Sequence, residues 1–537
     1  MPLFYLSLIV NGHFIFWSMK TLLINGKAWL YRKYFAEAVG FDSETGKIDF
    51  AGSNAEAVDR SPDYNEMIDV KGKLIMPAFM DGHCHLIKGA LVNKELNLRD
   101  VRTRDEFAER VKKYSAESDG WIEGGYFSES NFREKFVIDR DMLDEMCPDV
   151  PVFISRFDLH SAILNSKAIE QIGLENKKGE FSGEDLVTDS NGRLTGEVKE
   201  GARNFVWMNA PKKTTEEIAN DLKDQVAKLN SLGITAVSDI TLPEDLDAID
   251  RLLNRNELGL YIDSRLPFRE IENMQGYKDR FKRYGGRIKF MSLKAFYDGS
   301  LTSETAYFHD NYNGREYSGS VTEFVSSGDF VKYGDMIDMN GYRMSVHAIG
   351  DKAVTELLDY NEHLVKDLGV KDRRFRIEHA QHIRKDDLDK FKKYNVIASV
   401  QPWHMFSDAK TAVEKLKHPE TTHIYKLLYG MGVNVCFGTD FPVVGESPFV
   451  NMYYAMTRHV EGSDDAFYGE YRMPLEDCLT CYTINNAYAS GEENSRGSLR
   501  EGKIADVIVL DDLFAMTPEE IKGVKVEMTF KDGARVY

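Results

Sequence analysis

Pro77-Ala78-Phe79-Met80-Asp81-Gly82-His83-Cys84-His85 is the stretch from which the fold is read. It opens with a strand-like apolar run and closes on two histidines separated by one residue. Residues two apart on an extended chain face the same way, so His83 and His85 converge while Cys84 points aside and is not counted as a ligand. A neutral imidazole is the commonest metal ligand. Alone, the spacing also describes two surface histidines where a strand ends, and the decision comes from what recurs downstream.

Eight short apolar stretches bounded by turn or helix signals read as strands, at 74–79, 234–238, 258–263, 288–296, 343–347, 375–379, 396–401 and 434–439. Amphipathic helical patterns such as 216–232 and 352–368 lie between them. Parallel strands alternating with helices eight times over predict an α/β fold, a (β/α)8 TIM barrel spanning 75–489. The gap at 95–215 is too long for one helix and predicts a subdomain inserted after the first barrel strand. The flanks have a different texture: Met67-Ile68-Asp69-Val70-Lys71-Gly72 near the start and Val524-Lys525-Val526-Glu527-Met528-Thr529-Phe530 near the end are strand-and-turn patterns. Residues 19–74 and 490–537 are therefore expected to build one small composite β-sandwich domain.

Barrel active sites sit at the carboxyl ends of the strands. Lys294 lies in the fourth expected strand, His347 ends the fifth, His379 ends the sixth and Asp440 follows the eighth. With His83 and His85 they would ring one mouth. Polar and charged residues are rarely buried without partners, so the set, rather than any one member, argues for a functional site.

These residues, together with Gln401-Pro402-Trp403-His404, Tyr482-Thr483-Ile484-Asn485-Asn486-Ala487 and Gly497-Ser498-Leu499-Arg500-Glu501-Gly502-Lys503-Ile504-Ala505-Asp506, resemble the amidohydrolase superfamily, and within it amidohydrolase family 3. The resemblance runs from Met19 to near the C-terminus. It implies that His83, His85, His347 and His379 bind metal, that Lys294 is a bridging ligand carboxylated by CO2, and that Asp440 is the catalytic acid/base. The activity expected is hydrolysis of a non-peptide C–N bond (amide, N-acyl or N-formyl) in a small-molecule substrate.

The chemistry is consistent with those roles. A bound Zn²⁺ lowers the pKa of water from 15.7 to about 7, and histidines with carboxylate oxygens suit zinc, in one ion or two. Lys294 can serve only if burial keeps it neutral; the competing reading pairs it with Asp298 and leaves a single-metal site. Asp440 would act as general base and then general acid. His160 and His404 are the candidates for an oxyanion donor or substrate contact. His160 stands in Arg156-Phe157-Asp158-Leu159-His160-Ser161, where the family pattern has Asp-Gly-His and Leu159 departs from it. Trp121, in Trp121-Ile122-Glu123-Gly124-Gly125-Tyr126-Phe127, is expected to line the substrate cavity. Asp239 and Asp298 serve either the metal region or the scaffold. Cys478 and Cys481 have redox spacing but no redox context, and are read as helix packing.

Two alternatives remain. A heterocycle deaminase would share the paired histidines but carry a glutamate after the fifth strand, where this chain has Ala348-Ile349-Gly350. A catalytically silent metal-binding regulatory protein would keep the barrel without turnover.

The chain has 537 residues, 42% hydrophobic and 29% charged, with formal net charge −19. That balance excludes a wholly disordered chain and argues against a nucleic-acid partner. Five scattered cysteines form no disulfide framework, so a cytoplasmic setting is expected, with a homodimer as the assembly. Residues 1–18 are apolar but interrupted, without the features of a signal peptide or a membrane span. They read as an over-extended start, with Met19 as the expected true beginning and no membrane partner.

Overall fold

The computed structural model describes residues 19–537 apart from 119, 157–159, 370–371, 461 and 464, together with the backbone pair Ile9–Val10 and His13–Phe14. The expectations for the rest of residues 1–18, and for the turn around Leu159, lie outside the described residues.

Eight strands form one all-parallel sheet in chain order: β1 (Phe79–Cys84), β2 (Ile234–Ile240), β3 (Tyr261–Pro267), β4 (Ile288–Phe296), β5 (Arg343–Ala348), β6 (Arg376–His379), β7 (Ile397–Val400) and β8 (Val435–Phe437). A parallel bridge between Cys84 and Phe441 brings the last strand back to the first. There the Asp440 N–H donates to His83 O (2.6 Å) and the His85 N–H to Phe441 O (2.8 Å). Gly82 and Gly438 permit this seam. A Cβ on Gly82 would strike Asn486 and Phe437 O, and one on Gly438 would strike the backbone of His83.

The expected first barrel strand, 74–79, is displaced. Leu74–Pro77 is a strand, but it pairs antiparallel with Val507–Leu510 in a different sheet. The transfer takes one residue: the Ala78 N–H donates to Asp506 O (2.9 Å), and the Phe79 N–H donates to Gly233 O (2.9 Å). Leu74 to Met80 are all buried, so no alternation separates the two strands in sequence. The third strand begins and ends three to four residues later than expected, because Asp263 and Arg265, charged yet 1% exposed, interrupt its apolar pattern.

Two further sheets are built outside the barrel, the larger from both ends of the chain and the smaller from its first part alone. One has six strands in the order Ala534–Arg535, Val526–Lys531, Val507–Leu510, Leu74–Pro77, Lys27–Tyr31, Tyr34–Ala36; the other has four, Lys47–Gly52, Ala38–Asp42, Lys20–Ile24, Glu66–Asp69. Leu23, Val39 and Phe41 of the smaller sheet pack with Ile75, Val507, Val509 and Phe530 of the larger in one apolar core. The helix Asn54–Arg60 interrupts this strand-and-turn region, started by a capping box between Ser53 and Glu56.

The chain divides into two compact units, Met1–Ile87 with Lys223–Tyr537, and Lys88–Leu222. The second unit has its own six-stranded sheet, whose central strand Val152–Arg156 sends Ile154 into one apolar core and Phe153 into another. Adjacent residues of a strand face opposite sides, so this sheet is covered on both faces.

Candidate metal centre

The mouth of the barrel gathers most of the expected residues. His83 and His85 leave the end of β1 with Nε2 atoms 3.2 and 3.3 Å from Asp440 Oδ1, which itself accepts no hydrogen bond. His404 Nε2 lies 3.7 Å from Asp440 Oδ2 and is also without a hydrogen bond. One donor atom each of His83, His85 and Asp440 lies within 4.8 Å of the others, and the same holds for His379, His404 and Asp440. The His379 ring is 4.4 Å from that of His347 and 5.1 Å from that of His83. His379 (φ 70°), Ala380 (φ 42°) and Asp440 (φ 58°) occupy the left-handed region, a backbone strain that clusters at functional sites.

Lys294, on β4, is 3% exposed, and its ammonium nitrogen has neither a hydrogen bond nor an ion pair among the described residues. It lies 4.8 Å above the Phe296 ring. Burial lowers its pKa to about 8, against the opposing pull of Glu378 and Asp440. The alternative ion pair with Asp298 is not formed. Asp298 accepts backbone N–H groups of Tyr307 (2.9 Å), Ile349 (3.0 Å) and Gly350 (2.8 Å), so it ties down the loops beside the mouth. Burial pushes its carboxyl up to about 7. Asp239 is likewise a scaffold residue, accepting from the Leu86 N–H and from the Thr241 hydroxyl, each at 2.6 Å.

Two of the imidazoles, His347 and His379, are held in the neutral state a cation needs. Burial, and then the Lys294 charge, lower the His347 pKa to about 3; burial and His347 hold His379 well below the usual range. His347 Nε2 donates to Gly299 O (3.0 Å), which leaves Nδ1 as its lone-pair nitrogen. Burial would raise Asp440, but His83, His85 and His379 hold it well below the ordinary carboxylate range. Among the described residues, Lys294 Nζ, His379 Nδ1 and Asp440 Oδ1 are all buried polar atoms without a hydrogen-bond partner. Such atoms are rare in native proteins, and here they belong to a nitrogen-and-oxygen donor set that suits a divalent metal. The residues fit the implied ion.

The two remaining expected residues belong to the second unit. His160 is exposed, with Nδ1 3.2 Å from Glu200 Oε1. Trp121 packs against one of that unit's cores and donates its indole N–H to Gln171 Oε1 (3.0 Å).

Sequence reasoning passed over two carboxylates. Asp81 accepts the N–H groups of His83 and Thr439 (both 3.0 Å) and the Thr439 hydroxyl (2.5 Å), pinning β1 to the segment that carries Asp440. Glu378, wholly buried on β6, meets His83 Nδ1 (2.5 Å), Arg265 Nη1 (2.8 Å), Arg376 Nε (2.6 Å) and the Ser345 hydroxyl. Burial opposes its ionisation, yet Arg376, His83 and Arg265 hold it well below the usual carboxylate range. The signal lay in polar residues repeating at spacing two within otherwise apolar strands, as in Asp263-Ser264-Arg265 and Arg376-Ile377-Glu378.

A closed parallel barrel with buried histidines, a lysine and an aspartate at the carboxyl ends of its strands is the frame of metal-dependent hydrolases. Comparison with known proteins makes that class specific. The model of the amidohydrolase family matches residues 66–537, and the chain belongs to that family. Protein LONG AFTER FAR-RED 3 of Arabidopsis thaliana is 28% identical over 89% of this chain and 84% of its own length. N-substituted formamide deformylase of Arthrobacter pascens is 24% identical over 92% and 93% respectively. A crystal structure of an uncharacterized metal-dependent hydrolase from Pyrococcus horikoshii superposes with a TM-score of 0.76 at 25% identity, covering 93% of this chain and 99% of that one.

Proposed function

We propose that this protein is a metal-dependent amidohydrolase that cleaves an amide, N-acyl or N-formyl C–N bond of a small molecule. The observation that carries the reading is the convergence at the barrel mouth of buried donor atoms that lack a hydrogen bond among the described residues. His83, His85, His347 and His379 would hold the ion or ions, and Lys294 would bridge them as a carbamate formed with CO2. A zinc ion there supplies an activated water and a polarised carbonyl.

The chain's own residues do the rest. Lys294 is neutral above about pH 8, and a neutral amine is what CO2 requires. Asp440 faces His83, His85 and His404 with its two oxygens, placed to take the proton of the attacking water and return it to the leaving nitrogen. His404, its Nε2 3.7 Å from Asp440 and without a hydrogen bond among the described residues, would donate to the developing oxyanion. The deformylase among its relatives supports N-formyl and N-acyl amines as the first substrates to screen.

Elemental analysis of the purified protein beside Lys294→Ala tests the reading. Near two equivalents of zinc, falling sharply in the variant, is the expected result. One equivalent, unchanged in the variant, would remove Lys294 from the site; no metal after reconstitution would end the hydrolase reading.

A further inference from the structure

TIM-barrel interiors are ordinarily filled with layers of branched apolar side chains. Here the layer beneath the mouth is polar: Asp263, Arg265, Ser345, Arg376, Glu378 and Ser399 are each no more than 2% exposed. Two guanidinium groups face two carboxylates, so the layer is balanced in charge. Arg265 donates to Asp263 (3.1 Å) and to Glu378 Oε1 (2.8 Å), and also to the Ser345 hydroxyl (3.2 Å). Arg376 meets Glu378 Oε1 through Nε (2.6 Å) and donates to Ser399 and to Gly82 O. The Ser345 hydroxyl donates to the same Oε1.

With Oε1 accepting from Arg265 and Ser345 and paired in charge with Arg376, Oε2 is turned toward β1 and the ring of His83. It lies 2.5 Å from His83 Nδ1, with Arg376 Nη2 at 3.2 Å. A carboxylate only accepts hydrogen bonds, so this contact requires the His83 proton on Nδ1. In the neutral ring that a metal ion takes, the lone pair is then on Nε2, the atom 3.2 Å from Asp440 Oδ1.

We propose that Glu378 is a positioning residue that fixes the tautomer and the ring plane of His83 for metal binding, and that Arg265, Arg376 and Ser345 hold Glu378 in the orientation that does so. This rests on the metal-hydrolase reading for its purpose but not for its geometry. A hydrogen-bonded carboxylate behind a ligating imidazole fixes the ring and raises its basicity, and losing one typically costs 10–100-fold in metal affinity.

The test uses the full-length protein, stripped with a chelator and titrated with Zn²⁺ against a chromophoric competitor, and ¹⁵N NMR of the His83 ring in the stripped form. Glu378→Gln is expected to weaken zinc binding about 10–100-fold and to turn the single Nδ1–H tautomer of His83 into a mixture. Because that variant leaves two guanidinium groups short of a counter-charge and can fail to fold, Ser345→Ala is measured beside it. It removes one donor to Glu378 without unpairing a charge, and a several-fold loss of zinc affinity in the same direction is expected. If the wild-type protein binds zinc and the folded variants match it in both affinity and tautomer, the polar layer is structural and the inference falls. If the wild-type protein binds no zinc, the hydrolase reading falls, while the tautomer measurement still decides the role of Glu378.

Discussion

The composite sheets and the barrel mouth each bury a lysine, and they treat it differently. Lys531, 5% exposed, has Asp532 at 2.5 Å and Asp506 at 3.5 Å, and Arg496 beside it pairs with the same two carboxylates. Lys294, 3% exposed, has no such partner among the described residues. Burying a charge is costly unless it is paired, so the first cluster is a finished piece of structure and the second is incomplete without something further. What separates the two buried lysines is partnership, since burial is the same.

The largest effect expected from breaking this contrast is on turnover. Asp440→Asn keeps the shape of the mouth and removes the proposed acid/base, so kcat should fall by about 10²–10⁴-fold with zinc content retained, measured by steady-state kinetics and elemental analysis. In the composite sheets the effect should be on stability alone. Asp506→Ala leaves Arg496 and Lys531 to share the less buried Asp532, and chemical denaturation should show a loss of up to about 3 kcal/mol, with zinc stoichiometry unchanged.

The third prediction concerns pH. The pKa of Lys294 is lowered in the folded protein to about 8 from an unfolded value of 10.5. Below pH 8 both states are protonated, and the metal-free fold bears the full cost of the buried charge. As pH rises from 8 to 10.5 the folded form releases its proton first, so the unfolded chain binds more protons and stability rises. The gain, on the order of 3 kcal/mol, should vanish in Lys294→Met, which should also be the more stable protein at pH 7 when metal-free. Urea titrations across that window, with chelator present, measure it. The smallest effect belongs to His160, an exposed partner of Glu200: His160→Ala should change stability by less than about 1 kcal/mol, so a raised KM in that variant would report a substrate contact.

The barrel was legible because helix and strand periods alternate along the chain, and the gathering of His83, His85, His379 and Asp440 was legible because each falls at or just beyond a strand end. The first strand was misplaced because two strands in different sheets share one unbroken apolar run, and only the neighbours of Ala78 and Phe79 reveal the transfer. Glu378 was missed for a different reason. Alternation places Glu378 and His379 on opposite sides of a strand, but that holds only while the backbone is extended. The positive φ of His379 ends the extended run, so Glu378 can hold His83 from below while His379 approaches it at the mouth. Nor does sequence reveal that Lys294 lacks a counter-ion, since Asp298, four residues on, is claimed by backbone amides.

The pairing of Leu74–Pro77 with Val507–Leu510 also sets a timetable for synthesis. The strand that leads directly into His83 and His85 leaves the ribosome long before its partner exists, an interval on the order of tens of seconds at about 5–20 residues per second. For that time an apolar segment lies beside an open site, and His83 waits likewise for Asp440. Nascent chains of this protein are therefore expected to need shielding from one another, and metal added during translation should find no assembled site until the eighth strand has emerged.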